Sequence, residues 1–307
     1  MKLQDRKYYK EAKLMLEAIP SVATEDCFAL KGGTAINFFL RNMPRLSVDI
    51  DLTYLPIEKR DDSLANMSEA LKRIAARITK LRPTIQAGHI LLSKTKHVTK
   101  LTISERDTQI TIEPNLVLRG TVFPTQKKDT SEKVEEAFEV AASTQTVSDA
   151  DLYGGKICAA LDRQHPRDLF DVKVLFDNEG VTDEIRRGFV IYLAGHDETM
   201  SELLDPKPKD IKKIFSEQFE GMPFETVRVE TLLETRDKLI ATIQKDLTES
   251  ERKFLLSLKE GAPNWNLLEI EGVEKLPSIQ WKLMNIRKMK PDHHRKSVAR
   301  LKAILEL

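Results

Sequence analysis

Leu30-Lys31-Gly32-Gly33-Thr34 and, after a spacer of fourteen residues, Asp49-Ile50-Asp51-Leu52 are the two stretches that decide the fold of this 307-residue chain. The first stretch continues an apolar strand predicted at 27–30 and leads into an apolar helix predicted at 35–40. Glycines let the backbone approach a ligand closely, and the start of a helix offers free N–H groups to a phosphate. Taken alone, the same pattern is also typical of a simple tight turn.

The second stretch places two carboxylates on one side of a strand predicted at 47–54, because side chains two residues apart on a strand point the same way. Asp49 and Asp51 can therefore converge on a divalent cation, and Mg²⁺ commonly takes carboxylates together with substrate phosphates as ligands. For a lone Asp-x-Asp pair, the solvated polar face of a sheet is the competing interpretation. A strand predicted at 109–113 offers Glu113 as a third carboxylate, unless Glu113 only ends an exposed strand.

A third group of charged residues follows at 151–171, where the pattern predicts two helices joined by a short turn. Lys156 and Arg163 are seven residues apart and share a helix face, and Asp168 and Asp171, three residues apart, do likewise. Two basic and two acidic groups brought together in this way could hold a triphosphate and position an acceptor. A purely structural network of salt bridges is the alternative.

The composition is that of a folded protein, with hydrophobic residues at 41% and charged residues at 32% of the chain. No run of about 18 apolar residues occurs, so no membrane span is predicted. The charged start, Met1 to Lys7, leads into no apolar stretch and is not expected to be a secretory signal. Cys27 and Cys158 lie far apart in apolar contexts, which argues against a cysteine-based zinc site and favours a reducing cytoplasm.

Basic and acidic residues nearly balance, with 49 against 48, so the net charge is +1. The balance hides an uneven distribution, because residues 281–307 contain eight basic and two acidic residues. This basic C-terminal segment, whose charges run from Lys282 to Lys302, either binds the phosphates of a nucleic acid or is the solvated face of a helix. Near-neutrality of the whole chain therefore excludes only a uniformly basic nucleic-acid binder.

The type of secondary structure changes along the chain. Strands alternate with helices up to about residue 180, and they are predicted at 27–30, 47–54, 89–93, 100–105, 109–113 and 138–142. Beyond residue 180 the spacing of apolar residues is helical, at 182–194, 208–219, 226–246, 249–260 and 292–306. The sequence thus predicts an α+β domain at 1–180 and a helical C-terminal domain at 181–307.

The combination of Gly-Gly, a short helix and Asp-apolar-Asp on a strand resembles the signature of the DNA polymerase β-like nucleotidyltransferase superfamily. Together with the helix carrying Lys156 and Arg163 and with Arg167-Asp168-Leu169-Phe170-Asp171, the stretch from Gly32 to Leu52 resembles the AbiEii-type abortive-infection toxins. The resemblance covers residues 28–175. It implies a mixed nucleotidyltransferase sheet with flanking helices, followed by a helical C-terminal region.

Members of that family are understood as Mg²⁺-dependent nucleotidyltransferase toxins of bacterial type IV toxin–antitoxin systems, and some add nucleotides to the 3′ end of tRNA. The resemblance therefore implies an NTP substrate, two Mg²⁺ ions, a tRNA acceptor, a cognate antitoxin and a cytoplasmic location. Its motifs imply roles as follows: Asp49 and Asp51 as metal ligands, with Glu113 as a third; Gly32, Gly33 and Thr34 at the triphosphate; Lys156 and Arg163 at phosphate charge; and Asp168, supported by Asp171, as a catalytic or positioning carboxylate.

Other functions fit the same residues. The nucleotide could be transferred to a hydroxyl group of a protein, because the acceptor site is built from surface shape that the sequence does not reveal. The chain could also be a nucleotide-binding interaction module without catalysis, although the intact Asp49, Asp51, Lys156 and Asp168 argue against that. A metal-dependent nuclease would use carboxylate pairs but would not explain the Gly-Gly-Thr turn.

Overall fold

The computed structural model describes residues 3–307. Met1 and Lys2, which begin the charged N-terminal segment, lie outside the described residues. The chain divides into two compact units. Unit 1 contains the residues up to Ser148 together with Phe219–Thr226, and unit 2 contains Asp149–Gln218 together with Val227–Leu307.

Within the described residues, seven strands of unit 1 form one mixed sheet. They are β1 (Phe28–Lys31), β2 (Asp49–Tyr54), β3 (Gln86–Leu91), β4 (Val98–Glu105), β5 (Thr108–Pro114), β6 (Gln126–Asp129) and β7 (Ser143–Thr146). Their order is β3-β4-β5-β2-β1-β7-β6, in which β2–β5 and β1–β7 are parallel and the other neighbours antiparallel. The strand that carries both aspartates, β2, therefore lies at the centre of the sheet.

The helices of unit 1 cover this sheet with apolar stripes. They are α1 (Tyr9–Val22), the single turn α2 (Gly32–Thr34), which continues as a π-helix (Ala35–Leu40), α3 (Arg60–Leu81) and α4 (Glu132–Phe138). The buried residues of α1 and α3 recur at intervals of three and four, as an amphipathic helix requires. Helix α1 packs against β2, β5 and β7, and α3 packs against β3 and β4, so both contribute to the core beside the sheet.

The described elements of unit 2 are helical. Its α-helices are α5 (Asp149–Asp162), α6 (Pro166–Asp177), α7 (Asp183–Gly195), α8 (Met200–Leu204), α9 (Lys212–Gln218), α10 (Val229–Asp246), α11 (Glu249–Glu260), α12 (Pro277–Arg287) and α13 (Pro291–Ile304). Helices α5 and α7 approach each other closely at two glycines. A Cβ atom at Gly154 would lie 2.8 Å from the backbone of Gly188, and one at Gly188 would lie 2.7 Å from the carbonyl oxygen of Ala150.

This close packing explains why residues 149–180 belong to unit 2, although the sequence pattern groups them with the strands. Helix α5 packs along α7, and α6 packs against α5 and α10, so both helices share the core of the C-terminal helices. The units describe packing in the folded chain. The division into domains at 1–180 and 181–307 concerns parts that fold independently, and it stays a prediction.

The predicted α+β fold class is confirmed, with a mixed sheet, flanking helices and a helical C-terminal region. The strand predicted at 138–142 is wrong, because Phe138 ends α4 and the strand of this region begins at Ser143. The sequence pattern also fails to predict α4, α8, α12 and β6. For α12 a signal exists, since Ile279, Leu283 and Ile286 are buried at helical spacing.

None of the helices in residues 3–307 is both long and apolar enough to cross a membrane.

Candidate active site

Asp49 and Asp51 lie on the partly exposed face of β2. Ile50 and Leu52 alternate with them and are buried in the core, with at most 1% of their surface exposed. The alternation follows from the strand's period of two residues, which points Asp49 and Asp51 to the side opposite Ile50 and Leu52. Both carboxylates therefore stand on one face of the central strand, as the sequence predicts.

The turn at Gly32 lies directly against the second aspartate. Strands β1 and β2 pair antiparallel with Lys31 opposite Asp51, so the chain leaves β1 beside that carboxylate. Gly32 has a φ of 71°, in the left-handed region that favours glycine. A Cβ atom at Gly32 would collide with Oδ2 of Asp51 and lie 3.1 Å from its Cβ. Backbone conformation and space both require glycine here.

Gly33 is crowded by a buried cation. A Cβ atom at Gly33 would lie 2.7 Å from Nη2 of Arg45 and 3.2 Å from the hydroxyl oxygen of Ser47. Arg45 is 2% exposed and donates from Nη1 to the carbonyl oxygen of Leu46 at 2.9 Å. Motif reasoning from the sequence assigns no role to Arg45, although it stands in the same stretch as the aspartates. The structure shows that its guanidinium group packs against the Gly-Gly turn.

Thr34 ties the turn to β2. Its hydroxyl group donates to the backbone carbonyl oxygen of Asp49 at 2.6 Å and lies 3.0 Å from the hydroxyl oxygen of Ser47. Thr34 is only 1% exposed. On the same turn, Asn37 donates from its amide to the carbonyl oxygen of Gly33 at 2.9 Å. The Thr34 hydroxyl therefore has a positioning role, and its contact with a triphosphate stays a prediction.

Parallel pairing with β5 brings further polar groups beside the aspartates. Asp49 is opposite Thr111, whose hydroxyl group donates to Oδ1 of Asp49 at 2.9 Å. Asp51 is opposite Glu113, which forms a 2.7 Å ion pair with Lys100 on β4. Sequence reasoning does not identify Thr111 as a partner of Asp49, because the pairing depends on a register between strands about sixty residues apart.

The chemistry of the carboxylate pair fits a divalent cation that arrives with a triphosphate. Mg²⁺ binds through one or two carboxylates and completes its shell with water and substrate phosphates. Glycine at position 32 leaves beside Asp51 a space that any side chain would fill. Within residues 3–307 there is no group of three His, Cys, Asp or Glu side chains that could hold a metal ion. Asp49 and Asp51 thus fit as a pair, and Glu113 as a third ligand stays a prediction.

The four charged residues from the predicted pair of helices meet in unit 2. The ammonium group of Lys156, on α5, lies 2.8 Å from Oδ1 of Asp168 and 2.9 Å from Oδ2 of Asp171, both on α6. Arg163 binds the same Asp168 carboxylate through Nε at 2.8 Å and Nη2 at 3.1 Å. The predicted shared faces are therefore confirmed, and the residues form a network of two cations and two carboxylates.

Burial distinguishes the members of this network. The side chains of Asp168 and Asp171 are at most 2% exposed and that of Lys156 is 7% exposed, whereas that of Arg163 is 61% exposed. Burial by itself would raise the pKa of Asp168, but the neighbouring Lys156 and Arg163 cations outweigh it and hold that pKa well below its usual range. Asp168 is thus an ionised carboxylate with little tendency to take up a proton.

The structure therefore gathers the predicted site residues into two groups, each within one unit. Gly32, Gly33, Thr34, Asp49 and Asp51 meet in unit 1, with Glu113 one strand away. Lys156, Arg163, Asp168 and Asp171 meet in unit 2.

One of the basic residues in the basic C-terminal segment does not face solvent. Lys282 is 7% exposed, and its ammonium group donates to the carbonyl oxygens of His196 and Glu198, each at 2.6 Å. The other seven basic residues of 281–307 are exposed. Lys282 therefore stabilises the chain after α7, and the exposed cations are the ones that a nucleic acid would contact.

The comparisons with known proteins agree with the fold and with the motifs. A family model described as nucleotidyl transferase AbiEii toxin, type IV TA system, matches residues 13–285. Among solved structures the chain is similar to MenT4, a nucleotidyltransferase toxin from Mycobacterium tuberculosis H37Rv, with a TM-score of 0.56 and 14% identity over 97% of this chain and 92% of that one. At this identity the similarity shows a common fold. No curated protein sequence matches the chain. Because the family model covers most of its length, the chain belongs to the AbiEii nucleotidyltransferase toxin family of type IV toxin–antitoxin systems.

Proposed function

We propose that this toxin is a Mg²⁺-dependent enzyme that transfers a nucleotidyl group from an NTP to the 3′ end of tRNA and releases pyrophosphate. The observation that carries the proposal is the contact between the Gly32–Thr34 turn and β2. Glycine at position 32 leaves room at the Asp51 carboxylate, and Thr34 holds the backbone of Asp49. Two carboxylates on one face beside such a turn suit a triphosphate that carries its own metal ions.

In the proposed reaction, the acceptor hydroxyl gives up its proton to water and attacks the α-phosphorus in line, and the bond between that phosphorus and the oxygen leading to the β-phosphate breaks. Asp49 and Asp51 would hold two Mg²⁺ ions, which neutralise charge on the attacking and leaving oxygens when bound. Thr111 orients the Asp49 carboxylate, and Thr34 orients its backbone. Such transfers depend mainly on positioning and on charge neutralisation, so few reactive side chains are needed.

We assign different roles to the four charged residues of unit 2. Asp168 has a strongly lowered pKa and is therefore a weak base, so a positioning role suits it better than proton transfer. Lys156 lies between two buried carboxylates, and its charge holds Asp168 and Asp171 in place. Arg163 is bound to Asp168 on one side and is largely exposed, which makes it the cation of this group best able to meet a phosphate.

The choice of RNA as acceptor rests on the exposed basic residues at the C-terminal end. Seven cations within 281–307 are exposed and can neutralise phosphates of a nucleic acid. Binding through such contacts weakens steeply with salt, so the proposal predicts a strong salt dependence for the acceptor. A tRNA acceptor also implies a cytoplasmic location, and the toxin–antitoxin family implies a cognate antitoxin as a further partner.

The test uses the purified full-length protein, total RNA, Mg²⁺ and each of the four NTPs labelled in turn at the α-phosphate. Label on tRNA that disappears with EDTA, and in Asp49→Asn and Asp51→Asn, would support the proposal. A label at the γ-phosphate must not be transferred, because it leaves with pyrophosphate. Label on protein would favour a protein hydroxyl as acceptor, and nucleotide binding without transfer would favour a silent binding module.

The matched control is Asp107→Asn. Asp107 belongs to the same unit and forms an exposed ion pair with Lys10, with 71% and 66% of their side chains exposed. The substitution removes the same charge away from β2, so full activity is expected. Loss of activity in this control would point to a general effect of charge and would weaken the assignment of Asp49 and Asp51.

A further inference from the structure

A second candidate site lies in unit 2, in a cavity of about 440 Å³ whose walls come from α8, α11, α12 and α13. None of the proposed active-site residues lines it. Four cations do, namely Lys259, Lys282, Lys296 and Arg300, and they outnumber the acidic lining residues, Asp197 and Glu202. The cavity is thus positive overall, and its volume is that of a typical small-ligand site.

Lys259 is the most unusual member of this group. It is 6% exposed, yet its ammonium group has no hydrogen-bond or ion-pair partner anywhere in residues 3–307. The ammonium group opens into the cavity, where only water can solvate it, and an ammonium group in such a partly desolvated position gains from pairing with an anion. Burial lowers the pKa of Lys259; burial, and then the nearby Lys259 cation, lower the pKa of Lys282 to about 8. An anion bound between the two lysines would relieve both effects.

Lys282 has donor capacity left for such an anion. An ammonium group has three N–H donors, and Lys282 uses two of them on the carbonyl oxygens of His196 and Glu198. Trp281, the residue before it, also lines the cavity and is half-buried, so its indole ring offers a flat surface next to the cations. A basic site beside an aromatic ring is the combination that proteins use for nucleotides, whose bases stack while their phosphates pair with cations.

We propose that this cavity binds a nucleotide, with its phosphate between Lys259 and Lys282 and its base against Trp281. The site goes beyond the proposed transfer reaction and does not depend on it. The nucleotide is either a free nucleoside monophosphate or the end of an RNA strand, because both present the same phosphate and base. Glu202 and Arg300 also line a neighbouring cavity of about 480 Å³ that reaches Asp162 and Gln164, so there is room beyond one nucleotide.

The test measures binding to the full-length protein by calorimetry and thermal shift in EDTA, so that metal-dependent binding at Asp49 and Asp51 is absent. The probes are adenosine 5′-monophosphate, inorganic phosphate and a short RNA. Wild-type protein should bind the monophosphate more tightly than inorganic phosphate, and Lys259→Met should weaken binding by about tenfold or more. In a Trp265→Phe background, binding should change the fluorescence of Trp281, the tryptophan that remains.

The matched control is Lys253→Met, which makes the same substitution on the same helix at an exposed lysine outside the cavity. The affinity of Lys253→Met for the monophosphate should equal that of the wild type. Lys259→Met should also leave the melting temperature without ligand unchanged or raise it, because it removes a partly desolvated charge that no protein group pairs, and lost binding then cannot be ascribed to unfolding. Tighter binding of RNA than of the monophosphate would identify an RNA end as the ligand, and the reverse order a free nucleotide. Equal affinity of Lys259→Met and wild type, or no binding of the monophosphate at about 1 mM, would overturn the proposal.

Discussion

The hydroxyl group of Thr34 donates to the backbone carbonyl oxygen of Asp49, with 2.6 Å between the two oxygen atoms. This bond joins the glycine turn to the strand that carries the carboxylate pair. It works together with the antiparallel pairing of β1 and β2, which places Lys31 opposite Asp51. The two motifs that mark the family in the sequence are thus one structural unit. A change in the turn should therefore alter the position of the carboxylates.

Replacing Thr34 by valine tests this connection. Valine has nearly the shape of threonine but cannot donate a hydrogen bond, so the bond from position 34 to the carbonyl oxygen of Asp49 would be lost. We expect a loss of about 1–3 kcal/mol in the free energy of unfolding and a clear loss of nucleotidyl transfer. Thr34→Ser keeps the hydroxyl group and should retain most of the activity. Urea unfolding and a transfer assay measure the two effects, and a fully active Thr34→Val would show that the bond is dispensable.

Gly32→Ala should abolish activity for a steric reason. Its Cβ would collide with the Asp51 carboxylate, and its φ of 71° is strained for alanine. Gly180→Ala is the matched control, because Gly180 has a φ of 69° and a Cβ atom there would lie in open space, with no contact within 4 Å. Both variants should lose about 1 kcal/mol or more of stability, but only Gly32→Ala should lose transfer activity. Equal activity of the two variants would contradict the proposed role of the space beside Asp51.

Substitutions at Glu113 and Lys100 show whether Glu113 is a metal ligand or only a member of a surface ion pair. The pair is partly exposed, so removing either partner should change stability by at most about 1 kcal/mol. If Glu113 also binds metal, Glu113→Gln should lower transfer activity and raise the Mg²⁺ concentration needed for half-maximal rate, whereas Lys100→Met should do neither. A Mg²⁺ titration of both variants decides the matter. Identical Mg²⁺ curves for the two variants would remove Glu113 from the metal site.

The buried network of unit 2 predicts that the free energy of unfolding depends strongly on the balance of charges within the network. Lys156→Met would leave two carboxylates buried near each other, which should cost about 3–5 kcal/mol of stability. Adding Asp171→Asn to this variant removes one of the two negative charges that faced Lys156 and should restore part of the loss. Arg163→Met should cost less, because Arg163 is largely exposed. Urea unfolding of the single and double variants measures these differences, and a double variant less stable than Lys156→Met would refute the charge-balance account.

The lowered pKa of Asp168 predicts how stability changes in acid. Because the folded pKa lies below the ordinary 3.8, the ionised carboxylate stabilises the folded state above that value, and the contribution is lost as the pH falls further. Over the range from about pH 4 down to about pH 2, the free energy of unfolding should fall by up to about 1.4 kcal/mol per pH unit from this group alone. In Asp168→Asn that part of the slope should vanish, whatever the stability at neutral pH. If the free energy of unfolding fell with the same slope against pH in Asp168→Asn and in the wild type, Asp168 would not be the cause of the loss in acid.

Most residues of the site can be predicted from the sequence because their spacing is short-range. The alternation of Asp49 and Asp51 with apolar residues, and the seven-residue interval between Lys156 and Arg163, are readable because strands and helices have fixed periods. Short-range spacing does not identify Thr111 or Arg45 as site residues, and the reason differs between the two. Thr111 becomes a partner of Asp49 through strand register, whereas Arg45 lies in the motif stretch but looks like any other surface arginine until its burial is known.

Local patterns of residues are thus sufficient to predict the family and the fold class. Glycine, aspartate and apolar positions at set intervals specify a turn, a strand face and a helix face, and none of these depends on distant parts of the chain. Only the folded chain decides that Thr34 holds Asp49, that Lys156 is shared between two aspartates, and that Lys282 turns inward while the other basic residues of 281–307 face water. These outcomes depend on which distant segments pack together. Burial makes an unpaired charge costly, so packing determines which charged residues form networks, which stay exposed, and which, like Lys259, line a cavity.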